Sequence, residues 1–237
     1  MTARSGFGSL STLTGLEWRP ISAIDGPAGA GKSTIAKGLA ARLGFTYIDT
    51  GAMYRTLGWY CLKQKIDVQN PRAVTTACRK WKTALRCVDG QVQLTVDGYF
   101  PAQEIRTAEV SAATTHIAAV PKVRDWMKKT QRECIQFGNL VMEGRDIGTN
   151  VFPETDFKYY LDAHLEERSR RREAEGVKEN LAARDQRDSQ RAAAPLMIAL
   201  GAKVINNSQM TSEQTSATIL ADIRKRLEAR LAPTHSR

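Results

Sequence analysis

The stretch AIDGPAGAGKSTIAKGLAARLGFTYID, residues 23–49, decides the fold of this chain. It begins with a short apolar run that ends at Asp25 and continues into a glycine-rich loop. From Lys32 onward the apolar residues recur at helical spacing, and Gly44 is a typical helix stop. A second apolar run then ends at Asp49. Strand, loop, helix and strand in this order predict the start of a parallel α/β sheet.

The loop at residues 26–33 fits the pattern G-x-x-x-x-G-K-S, which holds phosphate groups in many proteins. Its glycines let successive backbone N–H groups point inward, and the helix behind it adds the positive end of its dipole. Lys32 is expected to reach the β- and γ-phosphates of a nucleoside triphosphate, and the Ser33 hydroxyl to bind Mg²⁺. GTPases, motor ATPases and small-molecule kinases share such a loop, so the loop alone leaves the reaction open. The expected triphosphate contacts are Gly26, Gly29, Ala30, Gly31, Lys32, Ser33 and Thr34.

Composition and charge narrow the class of protein. The 237 residues are 42% hydrophobic and 25% charged, which is typical of a globular domain, and no apolar run approaches the ~20 residues of a membrane span. The four cysteines lack CxxC or metal-ligand spacing, which indicates reduced thiols in a cytoplasmic protein. Residues 1–20 contain no continuous apolar segment of the kind found in secretory signals. Their serine, threonine and glycine content predicts a flexible extension, and two arginines are few for the alternative, an amphipathic targeting peptide.

The net charge of +10 fits either nucleic acid or small polyanionic ligands. The arginines fall near turn and loop signals, and no long basic run is interleaved with aromatic residues. We therefore expect small anionic ligands and no nucleic-acid partner.

The segment at residues 66–120 breaks the alternation of strand and helix. Asp89 and Gly90 separate two alternating runs, LRCV and QVQLTV, which is a strong hairpin signal. Antiparallel strands inside a parallel α/β chain predict an inserted subdomain. The runs NLVMEGRD, FKYYLDA and AKVINN are further strands, and Thr211 with Gln214 predicts a capping box for a last helix at about 212–231.

The residues after the second strand indicate what receives the phosphate. Because the carboxyl ends of parallel strands line the ligand crevice, Asp49, Thr50 and Arg55 should face the same cleft as the phosphate loop. The chain lacks the Asn-Lys-x-Asp set that reads guanine in GTPases. The strand near residue 143 ends in Glu-Gly-Arg-Asp instead of the Asp or Asp-Glu of a motor ATPase. These features favour a small-molecule kinase with a second anion in the cleft.

Five blocks of sequence occur together in register: GPAGAGKST, DTGAMYR, EIRTAEV, EGRDIGTNVFP and RDQRDSQRAAAPL. From Ile21 to the last helix, the chain resembles bacterial cytidylate kinases, the nucleoside monophosphate kinases that use ATP to phosphorylate CMP and dCMP. The resemblance implies a P-loop NTPase fold with a parallel five-stranded sheet and a monomeric enzyme. It also implies a core at 21–65 and 121–237, an NMP-binding insert at 66–120 and a mobile helical lid at 165–192.

The resemblance also implies roles for particular residues. The ribose of CMP would be bound by Thr50, Arg184 and Asp188. The CMP phosphate would be bound by Arg55, Arg145 and Arg191, and the cytosine by Thr115, Arg124 and Asp146. Arg106 belongs to the same cleft, Arg171 matches an arginine on the ATP side, and Lys32, Arg145 and Arg191 would carry the transfer. A carboxylate at position 146 would accept from the N4 amine of cytosine and repel the O4 oxygen of uracil.

Several alternatives stay open at this level. The acceptor could be another monophosphate such as UMP, and the net charge leaves a nucleic-acid-stimulated ATPase as a rival. Taken without the resemblance, Arg124 could be an exposed helix charge, Asp188 could form a surface pair, and Arg168 to Arg172 could form a solvated face. For Mg²⁺, Asp49 and Asp146 are candidate ligands besides Ser33.

Overall fold

The computed structural model describes residues 19–176 and 180–231, so the predicted flexible extension lies outside the described residues except for Arg19 and Pro20. The strands are β1 (Ile21–Asp25), β2 (Thr46–Asp49), β3 (Thr83–Val88), β4 (Gln91–Val96), β5 (Leu140–Glu143), β6 (Phe157–Asp162) and β7 (Lys203–Asn206). The helices are α1 (Lys32–Leu43), α2 (Thr50–Lys63), α3 (Pro71–Cys78), α4 (Ala108–Ile117), α5 (Pro121–Glu133), α6 (Leu165–Ala174), α7 (Leu181–Ser189) and α8 (Ser212–Leu231).

The strands form one sheet in the order β3-β4-β2-β5-β1-β6-β7. Five neighbouring strands, β2, β5, β1, β6 and β7, run parallel, as predicted. The hairpin β3–β4 extends this sheet instead of forming a separate one, because β4 pairs with β2 at Tyr47–Gln91 and Ile48–Val92. The α/β fold class predicted from the sequence is therefore confirmed, with a larger sheet than expected.

Two helical layers cover the sheet. Helices α1 and α8 pack on one face, where Ile35 and Leu39 of α1 meet Ile219 and Ile223 of α8 in a buried apolar cluster. On the other face, α2, α3 and α5 enclose a second cluster. Burial of apolar residues on both faces fixes the central strands, as expected for a parallel sheet. The polar residues at the strand ends are thereby brought to one edge.

The local signals read from the sequence set most of the element ends. Helix α1 begins at Lys32 and ends before Gly44, whose φ of 67° lies in the left-handed region. The capping box of α8 is present, because Thr211 and Gln214 exchange hydrogen bonds of 2.9 and 3.1 Å. Helix α2 begins at Thr50, because the Asp49 carboxylate accepts from the Ala52 N–H at 2.7 Å and caps the helix.

Two features of the fold were not predicted from the sequence. A π-helical turn at Ile147–Val151 follows β5 and shapes the loop beside the strand end. Helix α4 approaches α2 closely at Gly58, where an added Cβ would lie 2.8 Å from the Thr114 hydroxyl oxygen. That close approach brings α4 to the edge of the sheet where β1, β2 and β5 end.

Candidate active site

The segments that follow β1, β2 and β5 line one cleft, together with residues of α4, α5 and α7. Most of the site residues expected from the sequence meet there. Those in the cleft wall are Gly29, Lys32, Ser33, Thr50, Arg55, Arg106, Thr115, Arg124, Arg145, Asp146, Arg184, Asp188 and Arg191. The other expected residues, Gly26, Ala30, Gly31, Thr34 and Arg171, lie outside this wall.

The phosphate loop holds Lys32 at the floor of the cleft. The residue is buried, and its Nζ donates a hydrogen bond of 2.7 Å to the Pro27 carbonyl oxygen. Burial and, after it, the nearby Arg145 charge lower the pKa of Lys32 to about 7. An anion placed in the loop would offset both effects, since it would stabilise the charged form of the lysine. The site is therefore electrostatically suited to a polyanion.

Two side chains from outside the loop hold its carbonyl groups. Arg168 of α6 donates to the Ala28 oxygen at 3.1 Å, and Asn207 donates to the Ala30 oxygen at 3.0 Å. Because these carbonyls are bound on the outside, the loop keeps a fixed conformation with its N–H groups available for phosphate. Neither residue was expected as part of the site. For Arg168, the sequence left open that its side chain is on a solvated helix face. In the structure it is only 7% exposed.

Arg171 lies beside the loop instead of in the cleft wall. Its guanidinium donates to the side chain and to the backbone oxygen of Asn207, at 3.1 and 2.9 Å. Its Nη1 would be 3.9 Å from a Cβ added at Gly31. This position is on the phosphate-loop side of the cleft, and the assignment of Arg171 to the donor nucleotide stays a prediction. The neighbouring Arg172 lines the cleft.

The opposite wall carries an arginine pair held by one buried carboxylate. Asp188 accepts a 2.9 Å hydrogen bond from Arg145 Nε and a second hydrogen bond from Arg191 Nη2. Burial opposes the charged form of Asp188, but its neighbouring arginines, Arg145 first, hold the pKa of that carboxyl below its usual value. The alternative of an isolated surface pair is wrong for Asp188, because its partner Arg145 follows β5 and lies 43 residues away in sequence.

Asp49 organises a second arginine pair at the end of β2. Its carboxylate accepts from Arg55 at 3.1 Å and lies 3.7 Å from the Arg106 guanidinium. Arg55 is largely buried, and its Nε has no hydrogen-bond partner among the described residues. Arg106 is more exposed, with 55% of its side chain accessible. Both guanidinium groups border the cleft, where they can bind a dianionic phosphate in bidentate fashion.

A buried ion pair closes the far end of the cleft. Arg124 donates to the Asp146 carboxylate at 2.8 Å and to the Ala118 carbonyl at 3.1 Å. Asn150 also donates to Asp146, at 2.9 Å, and the Tyr54 ring centre lies 5.7 Å from the Arg124 guanidinium carbon. The alternative of Arg124 as an exposed helix charge is therefore wrong. A charge pair of this kind offers a planar ligand both donors and acceptors.

Thr50 and Thr115 border the cleft in different ways. The Thr50 hydroxyl donates to the Glu143 carbonyl oxygen at 2.7 Å. The Thr115 hydroxyl donates to the Ser111 carbonyl within its own helix, at 3.3 Å, and Ser111 also lines the cleft. Both hydroxyl groups retain acceptor lone pairs for a ligand.

Glu143 is a functional candidate that the sequence interpretation missed. This buried carboxylate accepts from the Tyr47 hydroxyl at 2.7 Å, and it lines the cleft together with Ser33. Burial raises the pKa of Glu143, and the Asp49 charge raises it further. It ends β5, immediately beside the phosphate loop, whereas Asp49 and Asp146 are bound to arginines. The only signal in the sequence was its place at the end of the strand.

Asp25 was also missed, and it joins the two sides of the cleft. Its carboxylate accepts from the N–H groups of Ile147 and Gly148 at 2.9 and 2.7 Å. Burial raises the pKa of Asp25 to about 6, although the two N–H groups partly offset this effect. Asp25 directly precedes the phosphate loop, and its bond partners directly follow Asp146. It therefore fixes the loop after β5 relative to the phosphate loop.

A phosphate loop facing a wall of arginines across one cleft defines a P-loop phosphotransferase. The family model described as cytidylate kinase matches residues 22–225. The chain belongs to the cytidylate kinase family.

Relatives of known name agree with this assignment. The cytidylate kinase of Caldanaerobacter subterraneus subsp. tengcongensis is 42% identical over 214 residues, which cover 86% of this chain and 94% of the relative. That of Solibacter usitatus is 44% identical over 222 residues, or 88% and 94% of the two chains. A bifunctional pantoate ligase/cytidylate kinase of Acaryochloris marina is 42% identical over 215 residues. That match covers 84% of this chain, and the chain spans only 41% of the length of that relative.

Within residues 19–176 and 180–231, no helix has both the length and the apolar character that crossing a membrane requires.

Proposed function

We propose that this protein transfers the γ-phosphate of ATP to CMP and dCMP, giving ADP with CDP or dCDP. The observation that carries the proposal is the arrangement of the cleft, in which Lys32 and the phosphate loop face Arg55, Arg145 and Arg191. One triphosphate and one monophosphate can meet there with compensated charge. Membership in the cytidylate kinase family supports CMP as the acceptor.

On the donor side, the phosphate loop binds the triphosphate through its backbone N–H groups and the N-terminus of α1. Lys32 contacts the β- and γ-phosphates, where charge develops during transfer. Arg171 and Asn207 lie beside the loop, where Arg171 would contact the rest of the donor nucleotide. We also propose that residues 165–192 act as the lid that covers the donor.

Mg²⁺ fits the donor set beside the loop. Among the described residues no group of three or more His, Cys, Asp or Glu side chains could hold a metal ion, so a protein cage is not the expected form of the site. The Ser33 hydroxyl and the Glu143 carboxylate both line the cleft beside the loop, which suits an ion that binds few protein oxygens and several water and phosphate oxygens. Ser33 would hold the ion, and Glu143 would orient the Ser33 hydroxyl. When bound, Mg²⁺ would neutralise part of the negative charge of the phosphates.

On the acceptor side, three groups of residues bind the three parts of CMP. The phosphate is bound by Arg55, Arg145 and Arg191, with Arg106 at the cleft edge, while the ribose is bound by Thr50, Arg184 and Asp188. The cytosine is bound by Thr115, Arg124 and Asp146. In this assignment Asp146 accepts from the N4 amine, and Arg124 donates to O2 or N3. We propose that residues 66–120 form the insert that completes this side, and that 21–65 with 121–237 form the core.

The chemistry needs positioning more than covalent help. The attacking oxygen belongs to a phosphate that is largely ionised near pH 7, so no general base is required. Arg145 and Arg191 compensate the charge that spreads over the transferred group, and Asp188 holds both guanidinium groups in place. A dry cleft strengthens these contacts and limits hydrolysis of ATP. We expect the enzyme to act as a monomer in the cytoplasm, where its nucleotides occur.

The function is tested by measuring ADP formation with a panel of acceptors. The panel contains CMP, dCMP, UMP, AMP and single-stranded DNA, each added to enzyme, ATP and Mg²⁺. We expect CMP and dCMP to give rapid turnover and the others to give little. Turnover with UMP but not CMP would contradict the assigned acceptor, and stimulation by DNA alone would indicate a nucleic-acid-stimulated ATPase.

Replacing Asp146 by Asn tests how the base is recognised. We expect kcat/KM for CMP to fall about 100-fold, because the asparagine amide lacks the charge of the carboxylate and can present a donor to the N4 amine instead of an acceptor. The KM for ATP should change little. The preference for CMP over UMP should narrow in the same variant. Steady-state kinetics with both acceptors gives these ratios. Asp125→Asn, on the exposed side of α5, is the matched control and should behave as wild type. Equal losses for CMP and ATP would show that Asp146 does not read the base.

A further inference from the structure

Arg168 is a buried arginine whose contacts go beyond the two nucleotide sites. It lies on α6, and its guanidinium donates to three different segments. The acceptors are the Ala163 carbonyl at 2.9 Å, the Ala28 carbonyl of the phosphate loop at 3.1 Å and the Asp185 carboxylate of α7 at 2.6 Å. Burying a charged arginine costs free energy unless its N–H groups are bonded. Loss of any of these three bonds is therefore unfavourable, and together they hold the three segments in one arrangement.

Helix α6 also touches the phosphate loop through its backbone. A Cβ added at Gly29 would lie 2.9 Å from the Arg168 carbonyl oxygen and 3.0 Å from the Arg168 Cβ. One helical turn further along α6, Arg171 is bonded to Asn207, which in turn binds the Ala30 carbonyl. Because α6 meets the loop at these two places, an occupied and ordered loop restricts the position of α6.

The other end of this connection reaches the acceptor side. Asp185 is on α7, between Arg184, which lines the cleft, and Asp188, which binds Arg145 at 2.9 Å. A short rigid helix transmits the position of one of its residues to the next turn. Hydrogen bonds therefore link the Ala28 carbonyl to Arg168 and Arg168 to Asp185, and helix α7 connects Asp185 to Asp188.

We propose that Arg168 is a positioning residue that couples the two halves of the cleft. By binding the loop carbonyl and Asp185 together, it sets the position of α7 according to the state of the phosphate loop. Binding of the donor triphosphate then strengthens binding of the acceptor monophosphate, and by thermodynamic linkage the acceptor strengthens donor binding by the same factor. The identities of the two ligands rest on the proposed function.

The coupling is measured by calorimetric titration of CMP, with and without a saturating non-hydrolysable ATP analogue and Mg²⁺. We expect the wild-type enzyme to bind CMP at least about 5-fold more tightly when the analogue is present. In Arg168→Gln and in Asp185→Asn this ratio should fall to nearly one. The double variant should show no further loss, because both changes remove the same contact. Arg168→Lys should restore part of the ratio, since it keeps a charge opposite Asp185.

Arg170→Gln is the matched control, because Arg170 is on the same helix but is exposed and pairs only with Glu167 among the described residues. It should keep the wild-type ratio, and thermal unfolding shows which variants are folded at the titration temperature. If Arg168→Gln does not fold, Asp185→Asn tests the same contact. Asp185 is partly exposed, so its replacement should destabilise the fold less.

Two outcomes overturn the coupling: a wild-type ratio near one, or variants that keep the wild-type ratio. Failure of the proposed function is seen separately, as a wild-type enzyme that phosphorylates another acceptor in the panel. The same ratio is then measured with that acceptor.

Discussion

Lys32→Gln is expected to lower kcat for the phosphorylation of CMP by about 1,000-fold. The glutamine side chain is polar but one bond shorter and uncharged, so it cannot compensate the charge that develops on the transferred phosphate. The structure keeps Lys32 buried at the floor of the cleft, with its Nζ 2.7 Å from the Pro27 carbonyl oxygen. The initial rate of ADP formation at saturating ATP and CMP measures the effect.

The control for Lys32→Gln is Arg42→Gln, because Arg42 is an exposed charge in the last turn of the same helix. It should leave kcat unchanged, which separates the loss of a local contact from a general loss of positive charge. We expect the KM for CMP to change far less than kcat in Lys32→Gln, since the acceptor binds the opposite wall. A fall in kcat of less than about 10-fold would be at odds with the role of Lys32 in the transition state.

Gly26→Ala is expected to lower the free energy of unfolding by about 4 kcal/mol. Gly26 has a backbone φ of 147°, which residues other than glycine rarely adopt. An added Cβ would lie 2.0 Å from the Leu161 carbonyl oxygen, so either β6 or the phosphate loop must shift. Urea denaturation measures the loss of stability, and titration with the ATP analogue measures the accompanying loss of triphosphate affinity.

Gly44→Ala provides the comparison for the alanine substitution at Gly26. Gly44 also has a positive φ, 67°, but no atom lies within 4 Å of an added Cβ. Only the backbone conformation is penalised there, at a cost of about 1 kcal/mol, and triphosphate binding should be unchanged. Equal losses of stability in the two variants would mean that the close approach to Leu161 does not exist in solution.

The parts of the molecule predicted from the sequence are those set by local signals. The phosphate loop, the start and stop of α1, the turn at Asp89 and Gly90, and the capping box at Thr211 each depend on residues a few positions apart. The resemblance to a known family added the arginines of the acceptor wall. The structure brings Arg55, Arg145 and Arg191 to the same cleft as Lys32. Their assignment to parts of CMP stays a prediction.

The parts that were missed depend on contacts between residues far apart in the chain. Asp25 binds N–H groups more than 120 positions away, and Arg168 binds a carbonyl 140 positions away. A buried carboxylate and a buried arginine carry no pattern that distinguishes them from surface charges before the fold is known. The extension of the sheet by β4 depends likewise on the pairing of Tyr47 with Gln91. Each of these features follows from packing, which the local sequence does not specify.

The central claim is that a donor and an acceptor nucleotide meet head to head across one cleft. A compound with adenosine and cytidine joined 5′ to 5′ through five phosphates tests it most directly, by titration and by inhibition kinetics. The account predicts one molecule bound per chain, competition against both ATP and CMP, and an affinity at least about 100-fold above that for either nucleotide alone. Competition against ATP only, with CMP binding undisturbed, would contradict it.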